Sequence, residues 1–191
     1  MSAANVLDFW FGPPTDPAHT QSRPEWFRKD ANHDAEIARR FGPQIDEALS
    51  GSLEGWTSTP TGTLALILVL DQFTRNTGRD TPRAFAGDAR ALSLAKSLVA
   101  TGADKTLTGV QRQFIYLPFE HSESLADQDE SIRLFAQLGQ DTPTLAGLLE
   151  WAERHRVIVA RFGRFPHRNA ALGRVSTAEE AEFLQQPGSG F

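Results

Sequence analysis

Cysteine is absent from all 191 residues, which removes disulfides and thiolate chemistry from any account of the chain. Long apolar runs are missing too. The longest uninterrupted one, residues 64–70, falls far short of the roughly 20 residues needed to cross a bilayer, so no membrane partner is expected. Residues 1–12 have no basic leader and carry Asp8 inside their apolar stretch, which argues against export and for a cytoplasmic location. Excess positive charge is also lacking: the net charge is −5, whereas a nucleic-acid binder needs a basic surface to neutralise phosphates. No glycine-rich loop of the phosphate-cradling kind occurs, and no histidines stand at a familiar zinc-ligand spacing. Neither a cofactor nor a metal is therefore expected.

What is present is a globular composition, 40% hydrophobic and 23% charged, on a chain long enough for one sizeable core. A single domain over residues 1–191 is the expectation. Strand alternation is nearly absent and helix punctuation is dense, so the fold class is all-α. The first helix spans residues 3–11 and stops at Gly12 and the Pro13-Pro14 pair. Pro24 leads a short second one, and residues 34–49 form a third that Gly42-Pro43 is expected to break or kink.

Five further segments carry the argument. Residues 63–76 are helical; Thr81-Pro82 opens a helix towards Gly102; Thr108 with Gln111 makes a capping box for one reaching about Leu117. Ser124 caps a fourth that stops at Gly139, and Thr142-Pro143 opens a fifth that stops at Gly163. A last capping box, Ser176 with Glu179, starts a short terminal helix. Short connections between these segments predict antiparallel helical hairpins, so alternate helices run parallel.

The first, third and fifth of these helices each carry an apolar run followed directly by polar residues. Residues 64–70 precede Asp71, Arg75 and Asn76; 114–119 precede Glu120, His121 and Glu123; 157–159 precede Arg161, Arg164, His167, Arg168 and Asn169. Because the three helices run the same way, their polar endings should meet at one end of the molecule. A purely structural account competes: arginines complement the partial negative charge of helix C-termini, and Asp71 with Arg75 has the spacing of an intrahelical pair. Among the histidines, His155 has Ile158, Val159 and Phe162 at helical spacings and reads as a core residue, which leaves His121 and His167 as candidates. Ser122, although beside His121, reads as a cap or turn residue, since adjacency in sequence does not build a nucleophile's geometry.

The stretches LALILVLDQFTRN (residues 64–76), FIYLPFEHSESLADQ (114–128) and RFGRFPHRNAALGRVST (161–177), together with VLDFWFG (6–12), resemble a widespread bacterial family, domain-of-unknown-function family 924. The resemblance spans almost the whole chain and implies an all-helical, tetratricopeptide-like, right-handed array; it supplies no established activity. Thr74 stands where the family's pattern usually has proline, which implies a straighter helix here.

The first functional reading is a non-catalytic binding protein whose end-face pocket holds an anionic small molecule or an acidic peptide. Arg75, Arg164 and Arg168 would donate charge-assisted hydrogen bonds, Asn76 and Asn169 orient the ligand, and Asp71 hold the arginines, with His121, Glu123 and His167 completing the ligand-binding set. The alternative is a hydrolase or lyase using His121 or His167 as acid or base, oriented by Glu120 or Glu123. A third is a peptide-binding scaffold without a small-molecule pocket.

Overall fold

The apolar runs become the core. In the computed structural model, which describes residues 1–190, residues 64–70 are all buried, as is every residue of 110–120. Helices apolar on all faces are covered on all faces, and the chain wraps the remaining helices around these two. The described residues form an all-α fold of eight helices joined by turns and short 3₁₀ segments. They are α1 (Ala3–Phe11), α2 (Ala31–Leu49), α3 (60–77), α4 (Asp88–Thr101), α5 (Gly109–Glu120), α6 (Leu125–Asp141), α7 (Leu148–Phe162) and α8 (Ala178–Phe183). Successive helices from α4 to α7 pack on one another, and α3 packs against α1, α4 and α5. No helix among the described residues is long and apolar enough to cross a membrane.

Several local expectations shift. Residues 31–49 run as one helix through Pro43, because Ile37, Phe41, Ile45 and Ala48 bury a continuous face whose packing offsets the roughly 3 kcal/mol that an interior proline costs. Thr81-Pro82 and Thr142-Pro143 each open only a 3₁₀ turn, with α4 and α7 starting a few residues later at Asp88 and Leu148. The Thr108–Gln111 capping box forms as expected and α5 continues through Pro118 to Glu120. At Ser124 no side-chain cap forms; its N–H instead donates to the Ser122 hydroxyl. The terminal box is one residue later than expected: Thr177 accepts from the Glu180 N–H, and the Glu180 carboxylate accepts from the Thr177 N–H. Trp10 and Trp26 are core residues, whereas Trp151 is 49% exposed beneath the Arg154 guanidinium.

The largest local departure lies in α3. It is α-helical over Pro60–Ile67, widens into a π turn over Leu68–Phe73 and closes with one α turn, Thr74–Thr77. Threonine at 74 therefore does not straighten the helix. Its hydroxyl donates to the Leu70 carbonyl at 2.8 Å, and the Arg75 guanidinium donates to the Asp71 carbonyl at 2.9 Å, so side-chain donors serve carbonyls of the widened turn. Gly87, at the start of α4, is pressed against this turn: a Cβ there would stand 2.1 Å from the Leu70 carbonyl oxygen. Only glycine permits that approach, and it delivers Asp88 to the end of α3. Gly163 ends α7 in the left-handed conformation, φ 70°, and turns the chain back over the endings of α3 and α5.

Candidate functional site

Residue Asp71 lies in the π turn and is fully buried. Such turns recur at functional sites because the extra residue re-aims a side chain out of the regular helical ladder. Here Asp71 Oδ1 lies 2.7 Å from His121 Nδ1 and 2.9 Å from the Arg75 guanidinium, and Oδ2 accepts from the Gln72 amide at 2.6 Å. Burial by itself would raise its pKa, but Arg75, His121 and Gln72 outweigh that and hold Asp71 well below the ordinary carboxylate range.

Around this carboxylate the charges alternate. Arg75 forms a two-pronged pair with Asp88 at 2.8 and 3.0 Å. Arg168 reaches the same carboxylate at 3.1 Å and donates to the His121 carbonyl at 2.8 Å. Its guanidinium is held between Phe85 and Phe165, 4.8 and 4.7 Å from their ring centres. Burial, with Arg75 nearby, brings Arg168 down to about 10, so it stays charged at neutral pH.

The imidazoles stay neutral. Burial and Arg75 lower His121 despite the opposing pull of Asp71; burial brings His155 to about 3; burial and Arg168 bring His167 to about 4. A neutral His121 whose Nδ1–H donates to Asp71 carries its lone pair on Nε2. The His121 side chain is 15% exposed. His155 donates from Nδ1 to the Trp151 carbonyl at 2.8 Å, with Glu120 Oε1 3.2 Å away. Both partners are nearly sealed and burial pushes Glu120 up to about 8, so this contact joins two neutral groups rather than an ion pair.

Of the residues expected at the site, Asp71, Arg75, His121 and Arg168 form one hydrogen-bonded set, with His167 beside Phe165 at a ring separation of 5.6 Å. The others serve elsewhere. Asn76 and Arg79 both bind Asp34 on α2. Glu123 pairs with Arg174 and accepts from the Phe165 N–H, bracing the turn after α7. Arg164 pairs with Glu180, and Asn169 bonds Ser176, Glu180 and Arg174, so these two fasten the terminal helix. Helix endings meet as expected, but side chains on the outward side of an ending find partners in α2 or the terminal segment. Glu120 does not orient His121; Asp71 does.

Two members escaped the sequence reading. Asp88 is the first residue of α4, where an acid ordinarily complements the helix dipole, and the only sequence cue is Gly87 before it. Phe85 sits in a 3₁₀ turn with no apolar periodicity to mark it. Among the described residues no group of three or more His, Asp or Glu is arranged to hold a metal. Surface clefts of about 420 and 510 Å³ lie elsewhere, one between α3 and α4 lined by hydroxyls, the other along α7 beside Trp151.

Comparison with known proteins gives the same outline. A structure of a protein of unknown function, ATU0120 from Agrobacterium tumefaciens, is 39% identical, covers 96% of each chain and superposes with a TM-score of 0.80. No curated protein matches the chain. The family model for bacterial proteins of unknown function, DUF924, matches residues 6–188, and the chain belongs to that family.

Proposed function

We propose that this end of the molecule is an acid–base site acting on a small polar molecule, in a hydrolase or lyase, with His121 as the base and Asp71 as the residue that orients it. The observation that carries this is the 2.7 Å contact between Asp71 and His121 Nδ1, made by a fully buried carboxylate in a π turn. A carboxylate on Nδ1 fixes the tautomer, supports the imidazolium that forms when Nε2 takes a proton, and leaves Nε2 to act. Arg75 and Arg168 hold the surrounding carboxylates in place. An anion-binding pocket fits the geometry less well, because Arg75, Arg164 and Arg168 each already face an internal carboxylate at 3.1 Å or less.

The test is turnover by the purified chain of small esters, amides, phosphate esters and hydroxy or amino acids prone to elimination, compared with His121→Gln. Loss of the base should reduce turnover by about 10²–10⁴-fold while the thermal melt stays close to the parent's. A parent protein that turns over none of these classes faster than His121→Gln would defeat the reading.

A further inference from the structure

Two carboxyl groups are buried at this site, and the cations are shared unequally between them. Asp71 touches Arg75 and His121 and takes a hydrogen bond from Gln72. The half-buried Asp88 takes the other prongs of Arg75 and one from Arg168, and Glu123 takes Arg174. Glu120, the last residue of α5, has 5% of its side chain exposed and forms no ion pair with an arginine or lysine among the described residues.

The groups facing Glu120 come from three elements. From α3, Asp71 repels a second negative charge. From α7, His155 approaches at 3.2 Å but presents an N–H already directed at the Trp151 carbonyl, so it offers a hydrogen and no full charge. From α6, Gln128 donates to the Glu120 main-chain carbonyl at 2.7 Å and leaves the carboxyl alone. A nearly sealed carboxyl with no cation of its own keeps its proton, because burial disfavours the charged form.

We propose that Glu120 is the proton-bearing partner of His121: at neutral pH it is a carboxylic acid, so the site holds a proton donor and a proton acceptor side by side on consecutive residues of one helix end. The proton is a property of the free protein and stands on the packing alone; its use in chemistry rests on the acid–base reading above. In that use His121 takes one proton from the reacting molecule and, as an imidazolium, returns it to the leaving group or to solvent, while Glu120 keeps its own proton and leaves Asp71 as the buried carboxylate that supports the imidazolium. Glu120 is a positioning residue in this scheme, since its side chain is nearly sealed. The raised carboxyl described above, near 8 through burial and Asp71, agrees with the packing argument.

The test uses the full chain with no substrate. Carbon-13 is placed in glutamate carboxyl groups and nitrogen-15 in histidine rings, and both are followed by NMR from pH 4 to 10. One glutamate carboxyl should titrate with a midpoint near 8, far above the ordinary 4.5, and its signal should vanish in Glu120→Gln. The His121 ring signals should carry a step at the same pH in the parent and lose it in that variant. Glutamine mimics the protonated acid in shape, so the variant should fold; the parent titration decides the matter in any case. If all glutamate carboxyls are ionised by pH 6, or if the high-pH carboxyl survives in Glu120→Gln, the proposal is overturned while the role of His121 is untouched. Failure of the turnover assay, conversely, leaves this titration intact.

Discussion

Both ends of α5 carry a buried polar network, and the two differ in what their protons do. At the first turns, Arg112 donates to the Tyr116 hydroxyl at 3.0 Å and to Asp141 at 2.7 Å, and Tyr116 donates to Asp104 at 2.6 Å. One arginine and one phenol face two aspartates, and burial with the Asp104 contact pushes Tyr116 well above the ordinary phenol range. Tyr116 therefore keeps its proton throughout the neutral range. At the other end, the groups of Asp71, His121, Glu120 and His155 are displaced from their ordinary values in opposite directions, which leaves an acid and a base in the same place. Burial of polar groups is common to both; what separates a brace from a working site is whether countercharges are matched group by group or withheld from one of them.

The sharpest way to break the comparison is Asp71→Asn. Among the described residues it removes the one carboxylate held by both Arg75 and His121, and breaking a buried pair by deleting one partner costs about 3–5 kcal/mol. Chemical denaturation at pH 7 should register that loss. A loss under about 1 kcal/mol would mean that Asp88 alone compensates Arg75 and that Asp71 is not the anchor of the site.

Next comes a difference that appears only with pH. Folded Glu120 titrates near 8 against 4.5 in the unfolded chain, so between those values the native state keeps a proton the unfolded state has released, and stability falls as pH rises across that window. His155 and His167 act in the opposite sense. Their folded values, about 3 and about 4, lie below the ordinary 6.5, so their contribution is complete above 6.5 and is lost as pH falls towards 3. The windows overlap, and the parent's curve alone would hide both. Glu120→Gln should match the parent near pH 4.5 and exceed it by a few kcal/mol, on the order of one per unit of separation, at pH 9. Denaturant titrations at the two pH values measure this, and a pH-independent gap would contradict the assignment.

The control belongs to the other end of α5. Tyr116→Phe leaves the Asp104 carboxylate buried without its hydroxyl donor, a cost of about 1–3 kcal/mol. With Tyr116 titrating only well above neutrality, this loss should be equal at pH 5 and pH 9. A difference between those two pH values would show that the first network also exchanges protons and would erase the contrast.

How much of this could be read in advance depends on the range of the interaction. Helix class, the buried runs 64–70 and 114–119, and the convergence of Asp71, Arg75 and His121 follow from periodicity and from the shared direction of alternate helices, both properties of short stretches. The π turn does not follow, because Leu68–Phe73 has the composition of ordinary buried helix and the close approach of Gly87 to it comes from the next element. Glu120 and Glu123 stand one turn apart, and that spacing does not say which element covers each. In the fold α7 covers the first, while the second reaches Arg174 in the terminal segment. Asn76, Arg164 and Asn169 lay at the correct ends of their helices but on sides that other elements claim.

The smallest effect tests the segment that closes over this end. The terminal helix α8 is fastened by Glu180, which pairs with Arg164 at 2.6 and 2.7 Å and completes the capping box with Thr177. Arg164 first, then the Thr177 N–H, brings Glu180 down to about 2, so it is ionised at any working pH. Thr177→Ala removes the side-chain oxygen that accepts from the Glu180 N–H and should cost about 0.5–2 kcal/mol. Ser176→Ala removes only a hydroxyl bonded to Asn169 and should cost less, since Asn169 keeps Glu180 and Arg174. Denaturation of the two variants side by side decides which residue is the cap. Because Arg164 and Glu180 make no contact with Asp71 or His121, neither substitution should move the histidine titrations. A shift of the His121 signals in Thr177→Ala would instead tie the terminal helix to the charge balance of the site.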